Sequence, residues 1–379
     1  MKRMVSFIHS SDWQIGMKGG GLGEAASLVR ETRIKSIDNV FRMAKERSAD
    51  FILLAGDTFE NNAISMDEVN KVITVFNKHR EIPIYLLPGN HDLMGSGSIY
   101  NRDIFQRVSN LTVMSGTNPV EAPGVVIHPC PVGSKFSVQD ATKSIPFVKD
   151  ANGIHIGVAH GSLLGKFPVS NWEDVDLPID SSSVDRTGID YLALGHWHGY
   201  RIFNDNSGIP RIAYSGTHEQ TNYEETDAGH CLYVSIDKKG AVPVIEPIQT
   251  GQLTWASLSV QLHGSSSLES FKTLLEDNRN VNMVKLELSG ELPLDSMQEL
   301  ENILDFQKTL HKNFKVQLED LTVSQPMQTD VPFDFHDPIL NQADKKLIEM
   351  LSVEKDFWQR QVITQALLHF RKRGKEEQQ

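Results

Sequence analysis

The sequence predicts an α/β protein built on two β-sheets packed face to face and flanked by helices, followed by a small α/β cap and a helical tail. Three observations lead there. Five apolar runs of buried-strand length each end in Asp, Asn or His. Helical periodicity fills the gaps between the first three runs. The composition then changes after Thr250-Gly251.

The first run, Val5-Ser6-Phe7-Ile8, leads into His9-Ser10-Ser11-Asp12-Trp13-Gln14, and the second, Phe51-Ile52-Leu53-Leu54, into Gly56-Asp57. Pro83 to Leu87 leads into Gly89-Asn90-His91-Asp92. His155 to Val158 precedes His160-Gly161, and Tyr191 to Leu194 precedes Gly195-His196-Trp197-His198. Between the first three, Ala25 to Ala49 carries Ile34, Ile37, Val40, Phe41 and Ala44 on one helical face, and Asp67 to His79 repeats the pattern with Val69, Val72, Ile73 and Phe76. That gives βαβαβ. Further short strands are expected at Gly124 to Ile127, Arg211 to Tyr214 and Cys231 to Val234, which suits two sheets better than one. Lys18 to Gly23 is glycine-rich but follows the Asp12 segment instead of joining strand to helix, so a surface loop is expected.

After Thr250, strands are expected at Thr254 to Leu262, Met283 to Leu288 and Phe314 to Leu318. A helix over Leu268 to Leu275 has Ser266 and Glu269 at capping-box spacing, and another starts at Asp295 with Gln298 three residues on. The domains are thus expected at 1–248, 249–328 and 329–379. The middle one shows no catalytic side chain and reads as a structural cap that could still hold substrate. In the last, Asp337-Pro338 opens a helix to Met350, and a second helix follows from Glu354 to Arg373. Its stripe of Phe357, Trp358, Val362, Ile363, Ala366, Leu367 and Phe370 must be buried, on its own protein or on a partner. Arg371, Lys372 and Arg373 at its end suit the helix dipole.

The 379 residues, 39% of them hydrophobic, suffice for two or three soluble domains. No run reaches membrane-spanning or secretory length, so a cytoplasmic protein without membrane contact is expected. Cys130 and Cys231 form neither a disulfide framework nor a zinc cluster. The net charge of -12 argues against coating nucleic acid with the whole surface, though not against a local basic path.

Asp, Asn and His together offer the mixed oxygen and imidazole donors that suit manganese, iron or zinc. Asp12, Gln14, Asp57, Asn90, His160, His196 and His198 exceed the needs of one tetrahedral ion and match two ions sharing a carboxylate. Two such ions, about 3.5–4 Å apart, activate water and clamp the oxygens of an in-line phosphoryl displacement. In an α/β sheet such groups collect outside the carboxyl ends of the strands. His9 and His155 border buried strands and read as core or supporting residues, and His79, His128, His218, His230, His263, His311, His336 and His369 lack metal-like spacing. Trp197, Tyr200 and Tyr223 are candidates to stack on bases or to pack.

The series Asp-x-Gln, Gly-Asp, Gly-Asn-His-Asp, His-Gly and Gly-His-Trp-His resembles the calcineurin-like metallophosphoesterase superfamily. Within it the chain looks like an SbcD-type DNA repair nuclease, by Ser10-Ser11-Asp12-Trp13, by Tyr214-Ser215-Gly216-Thr217, and by the cap and tail. The resemblance implies a metallophosphoesterase core with two divalent ions, most plausibly manganese. Asp57 would bridge them, Asp12 and His198 would hold the first, and Asn90, His160 and His196 the second. His91 would be the catalytic acid that protonates the departing 3′ oxygen, a role suited to a group that titrates near neutral pH. Asp92 could orient that ring or serve the turn. The resemblance also implies DNA as substrate, an SMC-like coiled-coil ATPase as partner, and a homodimer. Two departures stand out. Gln14 occupies the place of a histidine and is a weaker donor, and Glu60 stands where such nucleases carry a histidine that guides a DNA end. A phosphoprotein, a cyclic nucleotide or a small phosphoester is the rival substrate, and a scaffold with a vestigial site is the rival of another class.

Overall fold

A computed structural model describes residues 4–149, 151–166, 176–324 and 337–376. The chain divides into two compact units, Met1–Leu253 and Thr254–Gln379. His336 and the expected linker after residue 328 lie outside the described residues.

The first unit opens with β1 (Val5–Ser10), α1 (Ala25–Glu46), β2 (Phe51–Ala55), α2 (Met66–Lys78) and β3 (Ile84–Leu87). There follow α3 (Asp103–Gln106), β4 (Leu111–Val113), β5 (Val120–Ala122), β6 (Val125–Cys130), β7 (Ile154–His160), β8 (Ser162–Leu163) and β9 (Pro178–Ile179). It ends with α4 (Ser183–Thr187), β10 (Tyr191–Gly195), β11 (Arg201–Asn204), β12 (Pro210–Tyr214), β13 (His230–Ile236) and β14 (Val244–Gln249). One sheet has the order β14-β13-β1-β2-β3-β4 and the other β11-β12-β10-β7-β6-β5, while β8 and β9 pair separately. The strands β1 to β4 run parallel to one another, as do β6, β7, β10 and β12.

Side-chain alternation along each strand builds the layers. On β1 and β2, Phe7, Phe51, Leu53 and Ala55 face the interior between the sheets, where they meet Ile156, Val158, Tyr191 and Ala193. Their neighbours Ile8, Ile52 and Leu54 point outward and meet Ile37, Val40 and Phe41 of α1 and Val72 and Phe76 of α2. The second sheet turns Leu192, Leu194 and Ile212 outward onto Ile145, Val148 and Val184. The mixed α/β fold of two helix-flanked sheets is the predicted one. α2 begins where Ser65 Oγ accepts the Glu68 amide at 3.3 Å, one residue before its first helical residue, Met66. Cys130 and Cys231 are buried and free, and burial pushes both thiols up to about 12, so neither is a reactive thiolate.

The second unit is a three-stranded parallel sheet of β15 (Trp255–His263), β16 (Met283–Pro293) and β17 (Asn313–Ser324) with α5 (Ser267–Asp277) and α6 (Leu294–Leu310). Leu268, Phe271 and Leu275 of α5 share one core with Leu300 and Leu304 of α6 and Leu286 and Leu288 of β16. Two local readings change. Ser266 has helical angles and makes no side-chain cap, so the expected capping box does not form; Ser267 Oγ instead bonds the Gly264 carbonyl at 2.7 Å. β16 also runs past the expected end at Leu288 through Ser289-Gly290-Glu291; a register shift absorbs the irregularity, and Gly290 at φ +100 lies against the Leu262 carbonyl.

The tail forms α7 (Pro338–Val353), capped by Asp337, and α8 (Phe357–Glu376). Ile363 and Leu367 are buried, and Trp358 packs against the core of the second unit. Arg371 is not a solvated dipole charge. It is buried and bonds Asp344 of α7 through two nitrogens, at 2.6 and 2.9 Å. The side chains of Phe357, Lys372 and Arg373 lie outside the described residues. Among the described residues, no helix is long and apolar enough to cross a membrane.

Candidate metal centre

The parallel runs bring the carboxyl ends of β1, β2 and β3 to one edge of their sheet, and those of β7 and β10 to the matching edge of the other. The loops beyond them are sewn together by main-chain bonds. Asp12 N–H donates to Gly56 O at 3.1 Å, Gln14 N–H to Asp57 O at 2.8 Å, and Gly161 N–H to Gly195 O at 3.1 Å. Asp12, Gln14, Asp57 and His196 all have positive φ, at 53°, 39°, 51° and 109°. Each such non-glycine residue costs on the order of 1–3 kcal/mol, and such strain clusters at functional sites. Glycine is required beside them: a β-carbon on Gly89 would overlap the Asp57 carboxylate, and one on Gly56 the His160 ring.

Asp12, Asp57 and His160 are buried and offer ligand atoms that all lie within 4.8 Å of one another. His160 Nε2 is 3.3 Å from Asp57 Oδ2, while its Nδ1 bonds the Ala55 carbonyl at 2.9 Å. The His196 ring stands edge-on to His160 at 5.3 Å, and its amide donates to both Asp12 oxygens at 3.0 Å. His91 donates its amide to Asp57 Oδ1 at 2.9 Å, and its Nε2 lies 4.0 Å from Asp57 Oδ2. His198 sits close enough for its charge to act on Asp12. Asn90 is buried at the start of the same loop. Gln14 joins through its main chain; no contact of its amide group with these side chains is found among the described residues.

Two buried carboxylates at such a separation repel by roughly 3.5 kcal/mol at an effective dielectric near 20. Burial pushes Asp12 above the ordinary carboxylate range, whereas at Asp57 the adjacent His160 and His91 overcome burial and hold the carboxyl below it. Burial alone would lower His160, but Asp57 and Asp12 push it up to about 10. Burial, aided by the His160 charge, takes His196 down to about 3, which leaves a neutral imidazole. The residues therefore fit divalent cations. Besides the paired carboxylates, Asn90 Oδ1 and His160 Nε2 are buried without a hydrogen-bond partner among the described residues, and each such orphan costs about 1–3 kcal/mol unless something binds it.

Several supporting residues were not read from the sequence. Glu225 bonds His198 Nδ1 at 2.5 Å. Ser11 Oγ bonds Asp12 Oδ2 at 2.5 Å and Ser215 Oγ at 2.8 Å. Arg33 of α1 is buried and donates to the carbonyls of Asp12, Trp13 and Glu219, so the helix braces the Asp12 loop. Asp92 serves the turn: it accepts from the Gly89 and Phe59 amides and from the Tyr100 hydroxyl. The His91 ring is held by the Glu60 carbonyl, 3.0 Å from Nδ1. His9 is buried against Tyr191 Oη and the Leu194 carbonyl, which makes it a strut between the two sheets. Trp197 packs on the outer core of the second sheet, and Tyr200 packs between the sheets.

The family model described as calcineurin-like phosphoesterase matches residues 5–200, the span that holds all five loops. The chain belongs to the calcineurin-like phosphoesterase family. A curated relative, the uncharacterized metallophosphoesterase YhaO of Bacillus subtilis, is 25% identical over 242 residues, 60% of this chain. That stretch spans only 57% of the relative's own length. Among solved structures, TT1561 of Thermus thermophilus aligns with 65% of this phosphoesterase and 99% of its own chain, at 10% identity and a TM-score of 0.42. The calcineurin-like phosphoesterase YfkN of Bacillus subtilis aligns with 66% of this chain and 92% of its own, at 13% identity and a TM-score of 0.41.

Proposed function

We propose that this phosphoesterase is a two-metal DNA nuclease of the SbcD type, hydrolysing phosphodiesters as an exonuclease, a single-strand endonuclease or both. The observation that carries the chemistry is the buried group of Asp12, Asp57 and His160, with Asn90 Oδ1 and His160 Nε2 unsatisfied beside it. Asp57 would be the carboxylate shared by two ions. Asp12, His198 and Gln14 would complete one site, and Asn90, His160 and His196 the other.

Bound divalent ions, manganese foremost, supply Lewis-acid charge to the phosphate and an acidified water. The protein does the rest. The Ala55 carbonyl fixes the His160 tautomer and leaves Nε2 to face the carboxylates. The Glu60 carbonyl accepts from His91 Nδ1, which leaves Nε2 on the side of the metal centre, 4.0 Å from Asp57 Oδ2. With Nε2 protonated as well, the His91 imidazolium would give that Nε2 proton to the leaving 3′ oxygen and remain as the neutral ring with Nδ1–H on Glu60. DNA is favoured over a small phosphoester because a second unit with two further helices has no use in hydrolysing a small molecule. In this reading the tail helices dock an SMC-like coiled-coil ATPase and the nuclease works as a homodimer.

The test is to incubate the purified protein with manganese and end-labelled single- and double-stranded DNA, beside a generic phosphomonoester and phosphodiester. DNA turnover well above monoester turnover is expected. Preference for the monoester would replace the nuclease with a phosphatase.

A further inference from the structure

Glu225 is a carboxylate at the site with no place in the ligand set, and the molecule goes to some length to hold it there. Its side chain is only 7% exposed. One oxygen meets His198 Nδ1 at 2.5 Å, and the two together accept the Thr221 hydroxyl at 2.6 Å and the Thr221 amide at 2.7 Å. The loop between them is closed by its own side chains: Asn222 Oδ1 accepts the amides of Glu224 and Glu225, and Gln220 Nε2 donates to the carbonyls of Asn222 and Glu225. The loop is thus tied to itself at both ends, and what it presents to the centre is the Glu225 carboxylate.

We infer that Glu225 is the positioning residue of the first metal site, fixing His198 with Nδ1 protonated so that Nε2 is the donor, and strengthening that donor. This rests on the reading of His198 as a ligand. A carboxylate behind an imidazole sets its tautomer and orientation and raises its basicity. The first site needs such reinforcement. Gln14, its other loop residue, offers at best a neutral amide oxygen, a poorer donor than imidazole or carboxylate. At the second site, which would have two imidazoles, His160 has its Nδ1 tied to a neutral carbonyl, that of Ala55. The two sites therefore differ in kind, and loss of Glu225 should weaken one and spare the other.

The experiment is calorimetric titration of manganese into the intact metal-free protein and its Glu225→Gln, Glu225→Ala and His198→Ala variants, with thermal denaturation of each. Two binding events are expected for the unsubstituted protein and one for His198→Ala. Glu225→Ala should keep two but weaken one by about 10–100-fold, the usual effect of removing such a partner. Glu225→Gln, which keeps an acceptor without charge, should fall between. If His198→Ala loses an ion and Glu225→Ala binds both as tightly as the unsubstituted protein, the positioning role is wrong and the ligand reading stands. If His198→Ala binds like the unsubstituted protein, the ligand reading fails and takes the inference with it. Should Glu225→Ala not fold, Thr221→Val, which releases only the hydroxyl bond, must still weaken one event; unchanged binding there overturns the role.

Discussion

His160 presents Nε2 to Asp57 Oδ2 at 3.3 Å while its other nitrogen is held by the Ala55 carbonyl. Without a metal, the ring carries a second proton, because Asp57 and Asp12 outweigh burial and push its pKa up to about 10. A divalent cation placed between the same atoms must displace that proton.

Metal binding near neutral pH is therefore expected to release about one proton from His160, and the apparent affinity should rise by up to about tenfold per pH unit toward pH 10. Calorimetry in two buffers of different ionisation heat measures the release. Binding with no proton released would mean that His160 is not displaced by the ion.

His91→Ala should abolish hydrolysis while both ions remain bound, because its ring is held by Glu60 and meets Asp57 only at 4.0 Å. Single-turnover rates beside metal content by mass spectrometry separate the two effects. Substantial residual turnover would remove the acid role, and loss of an ion would make His91 a ligand.

Strand ends carrying Asp, Asn and His were legible because strand alternation and loop composition are local. The sandwich followed from the further short strands at Gly124 to Ile127, Arg211 to Tyr214 and Cys231 to Val234, which suit two sheets better than one. What stayed hidden depends on residues far apart in sequence. Glu225 lies 27 residues from His198, and Ser215 lies 204 from Ser11. Arg33 reads as an ordinary helical charge until the fold places it under the Asp12 loop. Arg371 was misjudged because sequence shows a charge but not whether a partner awaits it in the interior.

Acid should destabilise the first unit. Burial lowers His9 to about 3 and His128 to about 4, and His218 well below its ordinary value. Because these folded-state values lie below the unfolded one near 6.5, the unfolded chain takes up protons first as pH falls. The stability is fully present above pH 6.5 and is lost from there down toward pH 4. His128 also bonds His155 at 2.9 Å, a contact that two charged rings could not keep. Thermal melts from pH 7.5 to 4.5 should fall less steeply for His128→Gln; parallel curves would contradict this.

In the second unit, Arg371→Ala should cost about 3–5 kcal/mol, because it removes the two-nitrogen charged partner of the buried Asp344. Replacing both by apolar residues should cost less than either single change. A double-mutant cycle in urea checks the sign, and additive losses would show the pair to be uncoupled.

The most direct measurement of the metal centre is anomalous diffraction from crystals grown with manganese. Two peaks about 3.5–4 Å apart, bridged by Asp57 and flanked by Asp12 and His198 on one side and Asn90, His160 and His196 on the other, are the expected result. A pocket that holds no ion at saturating manganese, or a single ion that leaves Asn90 and His160 without a ligand, would contradict the two-metal centre.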